Sequence, residues 1–277
     1  MAANGAQHCR LFLLPPGEAS RADAPLLCSL SYPRPVSLHA SITPIESETV
    51  PGAPFPDTND QQFEVILLPS GSQTSFALQE AAADWLRNAA AQDRFESLSA
   101  DLKLRNGQIS IRGHRVVIQS APELFRDLLI GIGAFGWLWL GIEDTERAFE
   151  TAWDGQYRDA ALLERRTYSR QISRELSAKA AETARLRQWF LKTTLLLERG
   201  DRGLPAASRR SFFELCQQMD FGRRLQLIGE AVEARETLYG TAAERSFEYR
   251  MFLVSCVIEA AILAGILIEI AIMLYDL

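Results

Sequence analysis

The sequence predicts an α+β fold. A cytosolic mixed α/β domain is expected over residues 1–120, a helical domain and hairpin stem over 121–250, and one transmembrane helix over 251–277 that assembles in a homo-oligomer. Three observations carry this expectation. Short apolar runs punctuated by Pro and Gly occupy the first part of the chain. Ala-, Leu-, Arg- and Glu-rich helical sequence follows from Tyr157. Met251–Leu277 then contains no Lys, Arg, His, Pro, Asn or Gln.

In the first domain, Arg10–Leu14, Leu26–Leu30 and Phe63–Leu68 read as strands because Pro and Gly bound each run. Thr43–Asp60 carries Pro44, Pro51, Pro54 and Pro56 and reads as an exposed loop. Phe76, Leu78, Ala82, Trp85, Leu86 and Ala89 recur at helical spacing, which predicts an amphipathic helix over Gln73–Gln92. A meander follows: Leu98–Leu104, an Asn106-Gly107 turn, Gln108–Arg112, Gly113 and Arg115–Gln119. Asn-Gly between alternating strands is a strong hairpin signal because both residues tolerate positive φ.

Leu128–Ile142 is a 15-residue apolar run fenced by Arg126, Asp127, Glu143 and Asp144. A spanning helix needs about 20 residues, so this run is expected to be a buried core helix. It contains Gly131-Ile-Gly-Ala-Phe-Gly136, which spells the dinucleotide-binding pattern. That chemistry needs a strand ending and a helix beginning at the glycines, so that backbone N–H groups meet pyrophosphate. The flanking sequence is helical, so close helix packing is the expected role. Tyr157–Arg199 is expected to form one long helix, stopped by Gly200, Gly203 and Pro205. A second stretch from Ser208 has no proline to the end of the chain. Together they predict an antiparallel hairpin stem.

The chain has 277 residues, 47% apolar and 23% charged, with a formal charge of −6. An acidic balance argues against a duplex-DNA binder. Cys9, Cys28, Cys216 and Cys256 have no C-x-x-C spacing, and His8, His39 and His114 are scattered, so neither a metal site nor a disulfide framework is expected. Met1–Arg10 lacks the charged and apolar regions of a signal peptide. No P-loop, nucleophile elbow or H-E-x-x-H occurs. The expectation is a protein without catalytic residues or a cofactor.

Met251–Tyr275 offers about 37 Å of helix against a hydrocarbon core of about 30 Å. Only Asp276 and Leu277 follow, which is the layout of a tail anchor. Arg245 and Arg250 precede the span and no basic residue follows, so the body is expected on the cytoplasmic side of the inner membrane and the C-terminus beyond it. Inside the span, Glu259, Glu269 and Ser255 are the polar groups to consider as pore-lining or interhelical. Each carboxylate costs about 2.5–3.5 kcal/mol at mid-bilayer, so neither should face lipid, and a single span shelters them only by associating with copies of itself. Ala260, Ala264, Ala261 and Gly265 provide small-xxx-small pairs for close helix approach. The cytosolic apolar series Leu225, Ile228, Val232, Tyr239, Ala242 and Tyr249 extrapolates to Leu253, Cys256 and Ala260, one residue from the glutamate register. Either the helix is adjusted at the membrane surface or the glutamates flank the seam.

The stretch Ile258–Ile270, IEAAILAGILIEI, resembles the L-E-x-x-I-I-x-L-I-x-x-E pattern that ends the "required for meiotic nuclear division" proteins and their YagE-like relatives. The preceding helix, with Ile228, Val232, Leu238 and Tyr249-Arg250, is similar in layout, as is Gly107–Arg126, where a strand pair precedes Pro122 and a helix. The resemblance covers roughly Phe63–Leu277; it departs at the Gly- and Trp-rich Leu128–Leu140 and leaves the first 60 residues unmatched. It implies a tail-anchored inner-membrane homo-oligomer without known catalytic activity, in a family whose eukaryotic members support mitochondrial translation.

Lys103, Arg105, Arg112, His114 and Arg115 fall within 13 residues with no acid among them. Such a patch is a candidate for holding an anionic nucleotide or oligonucleotide through arginine contacts; a solvated sheet face is the alternative. Arg165-Arg166, Arg209-Arg210 and Arg223-Arg224 are expected in stem salt bridges or membrane-surface contacts. The leading functional expectation is an ion-channel-like effector, as in anti-phage defence, whose cytosolic domain senses a ligand. The alternative is a non-conducting scaffold that binds a partner such as the ribosome.

Overall fold

The computed structural model describes residues 5–15, 24–31, 33–45, 62–70, 74–88, 95, 97–105, 107–161, 169–199 and 204–275. The chain is mixed α/β with seven strands: β1 (Gln7–Leu14), β2 (Leu26–Leu30), β3 (Val36–Pro44), β4 (Gln62–Pro69), β5 (Ser99–Leu104), β6 (Gly107–Arg112) and β7 (Arg115–Ser120). Five helices accompany them: α1 (Phe76–Arg87), α2 (Phe125–Ala160), α3 (Arg170–Arg199), α4 (Ala206–Gln218) and α5 (Phe221–Tyr275). They form two compact units. One comprises Met1–Arg147 with Trp189–Leu227, the other Ala148–Gln188 with Ile228–Leu277. Boundaries at 120 and 250 therefore do not mark the units, because the first half of α2, with α4, packs as part of the sheet unit.

The first unit is built on one sheet of order β2-β3-β1-β4-β7-β6-β5. The β4–β7 pair is parallel and every other pair is antiparallel. All eight residues of β4 are buried, as a central strand covered on both faces requires. On one face, Ile66 and Leu68 pack against Leu78, Ala82, Trp85 and Leu86 of α1, whose first turn is capped by Ser75 Oγ accepting from Leu78 N at 3.2 Å. β3 was hidden in the sequence: a proline-rich reading of the loop beginning at Thr43 overlaps its end. Residues 46–61 of that loop lie outside the described residues.

The β5–β6 hairpin forms where expected, but its pairing Leu104↔Gly107 places Gly107 in β6 and not in the turn. Asn106 lies outside the described residues. Gly107 is needed for a close approach: an added Cβ would stand 2.3 Å from Gln119 O of β7. The positive φ expected there is found instead at Gly113, φ 61°, in the β6–β7 turn.

The run Leu128–Ile142 is buried, as expected, but it is part of the 36-residue α2 and not a separate short helix. Its glycines lie mid-helix, with no strand before them. A Cβ on Gly136 would meet Phe63 Cε2 at 2.1 Å, one on Gly133 Leu38 Cδ1 at 2.8 Å, and one on Gly131 Ser211 Oγ at 2.2 Å and Ser208 O at 2.7 Å. The G-x-G-x-x-G pattern thus seats α2 against the sheet and α4. Ser208 Oγ donates to Asp127 O at 2.6 Å and ties the two helices. Phe135 stacks on Phe221 at 5.4 Å, and Arg224 lies 4.5 Å over Trp139 while binding Glu143 and Glu146.

In the second unit α3 and α5 run antiparallel. Ser173 and Ser246 share a buried hydrogen bond of 2.5 Å, and Arg187 pairs with Glu236 farther along. Leu176, Tyr239 and Ala242 form the core, with Ile172, Ala180, Leu238 and Tyr249 against it. Tyr239 Oη donates to Asp159 Oδ2 at 2.7 Å, and Lys179 pairs with the same carboxylate. The antiparallel pair is connected through α4 and not through one Gly/Pro turn. Residues 162–168, including Arg165-Arg166, and 200–203 are outside the described residues.

Replacing Gly136 by Ala is predicted to destabilise the protein by about 1–3 kcal/mol, because overpacking must displace the buried Phe63 ring. At Gly155, where a Cβ meets nothing within 4 Å, the same change should instead stabilise by roughly 0.5–1 kcal/mol through helix propensity. Thermal unfolding of the detergent-purified variants distinguishes opposite shifts from a common one.

Candidate functional site

Two regions carry the expected functional residues. The first is the apolar end of α5. This helix runs unbroken for 55 residues, and every residue from Met251 to Leu274 is exposed. It is long and apolar enough to cross a membrane. The Pro122–Trp153 helix passes the same length and composition test but is 78% buried over its most apolar window, against 0% for α5. That difference separates a core helix from an uncovered one.

Glu259 and Glu269 both lie on this uncovered segment. Ser255 Oγ donates to Glu259 Oε1 at 3.3 Å, one turn along the helix. At 3.6 residues per turn, the ten-residue spacing sets the glutamates about 80° apart around the axis and about 15 Å apart along it. Val232, Tyr239, Ala242 and Ser246 are the buried stripe of α5 in the second unit. Continued at seven-residue spacing, that stripe reaches Leu253, Ala260 and Leu267. Because α5 has no break, the register is held, and Glu259 stands about 100° from Ala260. Glu269, nine residues beyond Ala260, stands about 180° from it, so the glutamates lie beside and behind the seam and not on it. Ala260 and Ala264 share the seam's side, whereas Ala261 and Gly265 lie on another face. A Cβ on Gly265 would meet nothing within 4 Å.

The second region is the meander, and the structure does not bring its five cations together on one surface. Lys103 and Arg105 are exposed at the β5 edge. Arg112 pairs with Asp101 and donates from Nη1 to Ala100 O at 3.1 Å and Ile111 O at 2.7 Å. His114 and Arg115 are buried at 3% and 7% exposure. Arg115 lies 4.8 Å over the Trp85 ring and donates from Nη1 to Trp85 O at 2.7 Å and Asn88 O at 3.0 Å. Both face the buried Glu64, whose Oε2 is 3.9 Å from Arg115 Nε and 4.0 Å from His114 Nε2. Cross-strand register explains the grouping, since Glu64 sits opposite Arg10 of β1 and Arg115 of β7. No local pattern signals this cluster: Glu64 and the His114–Arg115 pair are about 50 residues apart and meet only through sheet order.

Burial, followed by the neighbouring Arg115 charge, pushes His114 down to about 4. Burial raises Glu64, with Arg115 and Arg10 pulling the other way. His8 is lowered, again by burial first and then by Arg10. The cluster acts as an internal fastening between β4, β7 and α1 and is closed to a ligand. No protein-family model matches the chain, and no curated protein matches it.

A pH dependence follows. His114 takes its proton at about 6.5 when unfolded and at about 4 when folded, so its contribution is present above pH 6.5 and lost as pH falls towards 4, amounting to about 3 kcal/mol at most. Glu64 has the opposite sign: protonated earlier in the fold, it regains part of that loss on acidification. The expected result is a melting temperature that falls between pH 6.5 and 4 in the wild type, with a shallower slope in His114→Asn. Equal slopes contradict the assignment.

Proposed function

We propose that this protein is a homo-oligomeric inner-membrane protein whose α5 segments form an ion-conducting bundle, with the sheet unit on the cytoplasmic side sensing an anionic nucleotide or oligonucleotide. One observation carries the proposal: two carboxylates lie on a bilayer-length apolar helix that the chain itself leaves uncovered. Each costs about 2.5–3.5 kcal/mol against lipid, and copies of the same helix remove that cost by enclosing a polar axis. Gly265, about 40° round the axis from Glu269, allows the close approach this needs. Glu259 and Glu269 line the axis and favour cations. Arg245 and Arg250 before the span, with no basic residue in 251–277, orient the body towards the cytoplasm. The sensing role is supported by exposed Lys103 and Arg105 at the sheet edge, neither with a hydrogen bond or ion pair among the described residues. A sensed ligand opens the bundle only through unequal affinity for the closed and open states.

A second reading, a non-conducting scaffold that recruits a partner such as the ribosome, is favoured by the resemblance of Ile258–Ile270 to the meiotic nuclear division and YagE-like proteins. In that reading the glutamates bridge neighbouring helices, as Glu259 already accepts from Ser255 in a single copy.

Ion flux through liposomes carrying the wild type, Glu259→Gln and Glu269→Gln separates the two. We expect cation flux in the wild type, reduced several-fold in either variant while the oligomer keeps its size. Absence of flux with and without nucleotide, in an intact oligomer, selects the scaffold.

A further inference from the structure

We infer that the sheet unit carries a binding site for the ribose 5′-phosphate group of a nucleotide, in the cavity where the β5–β6 turn meets the first turn of α4. The inference deepens the sensing role proposed above and is independent of whether the bundle conducts. The cavity measures about 190 Å³ and is lined by Leu104, Arg105, Ser120, Leu124, Leu128, Ala207 and Arg210. All seven belong to the first unit.

Its chemistry is two-sided. Leu104, Leu124, Leu128 and Ala207 make an apolar floor, and Arg105 and Arg210 bring two cationic groups to it. No acidic residue lines it among the described residues; Glu123 and Asp127 are sequence neighbours of the floor leucines but stay outside it. Arg105 has no hydrogen bond or ion pair among the described residues. Arg210 gives Nε to Glu214 at 2.7 Å, and no hydrogen bond is made by its two Nη groups among the described residues.

The backbone adds a third donor set. Pro205, at the N-cap of α4, supplies no side-chain cap, and the first turn holds no acid. The first bond of the helix is Arg209 N to Pro205 O at 2.9 Å, so the N–H of Ala207, which lines the cavity, precedes the intrahelical ladder. Free N–H groups with the positive end of the helix dipole favour a phosphate. Guanidinium groups bind phosphate with charge-assisted hydrogen bonds. Pockets for drug-sized molecules hold about 300–1,000 Å³, so this smaller floor fits one ring, the ribose, with the phosphate at the arginine rim and the base outside the cavity. A nucleoside monophosphate presents this ribose 5′-phosphate group.

The position also bears on α5. α4 connects to it through Met219 and Asp220 alone, with Asp220 held at φ 50°, and Gln218 Nε2 donates to Asp101 O of β5 at 3.1 Å. A ligand gripping Arg105 and the α4 N-terminus together acts on the element that leads directly into the long helix.

The test is calorimetric titration of the detergent-purified full-length protein with adenosine 5′-monophosphate, inorganic phosphate and adenosine. The nucleotide should bind more tightly than either fragment. Arg105→Ala and Arg210→Ala should each weaken it roughly ten- to hundredfold, as expected for hydrogen bonds to charged groups. Leu124→Trp should block it by filling the floor, and Lys192→Ala, an exposed cation of α3 outside the cavity, should leave it unchanged. Unfolding curves confirm that each variant is folded. Nucleotide binding unaffected by both arginine changes overturns the site while leaving the sensing role open to another surface. Loss with Lys192→Ala equal to that with Arg105→Ala overturns it in favour of general charge attraction, and no binding of any of the three probes at millimolar concentration overturns the ligand class. Binding with the predicted variant pattern but no effect on flux or assembly sustains the site and removes the sensing role.

Discussion

A carboxylate in hydrocarbon must be neutralised or enclosed, and α5 carries two of them on a segment with no residue buried between Met251 and Leu274. Everything proposed for the membrane end of the molecule follows from that mismatch between apolar length and misplaced charge. The helix cannot resolve it by bending its register, since it continues unbroken from the stripe that packs on α3. The glutamates consequently face away from the inherited seam, with Glu269 about 180° from Ala260. Gly265, about 40° round the axis from Glu269, leaves that face open to a close neighbour, as the proposed ring of helices needs, in which each copy touches the next and turns its polar edge inward.

The same helix begins inside a tightly determined unit. Phe221 stacks in the aromatic cluster with Phe135 and Trp139, and Arg224 is held over Trp139 by Glu143 and Glu146. The glycines of α2 let that helix approach the sheet and α4 closely enough for Phe63, Leu38 and Ser208 to be its direct neighbours. The start of α5 is therefore positioned by the sheet unit's core. The C-terminus of α4 at Gln218 is separated from the start of α5 by Met219 and Asp220 alone.

Much of this was legible in the sequence. The strands at Gln7–Leu14, Leu26–Leu30 and Gln62–Pro69, the amphipathic α1, the β5–β6–β7 meander and the buried apolar run of α2 all announce themselves by local pattern. The close packing expected of the G-x-G-x-x-G glycines from their helical flanks is found at Gly131, Gly133 and Gly136. β3 was obscured because Pro44 closes it and invites a loop reading. The meander's basic patch dissolved for a different reason: alternation places successive residues on opposite faces, and parallel pairing of β4 with β7 draws His114 and Arg115 onto Glu64. The Arg105–Arg210 cavity joins residues more than 100 positions apart, and sequence spacing carries no trace of such an encounter.

The most direct test of the central claim is oxidative cross-linking of single cysteines placed along α5 in membranes, in a Cys256→Ser background. Self-association through the glutamate face predicts strong dimer bands for cysteines at Ser255, Glu259, Ile262 and Ile266, and weak ones at Val257, Ala261 and Ile268 on the opposite side. Uniformly absent cross-links, or a maximum on the Val257–Ala261–Ile268 face, would contradict an oligomer that encloses its carboxylates.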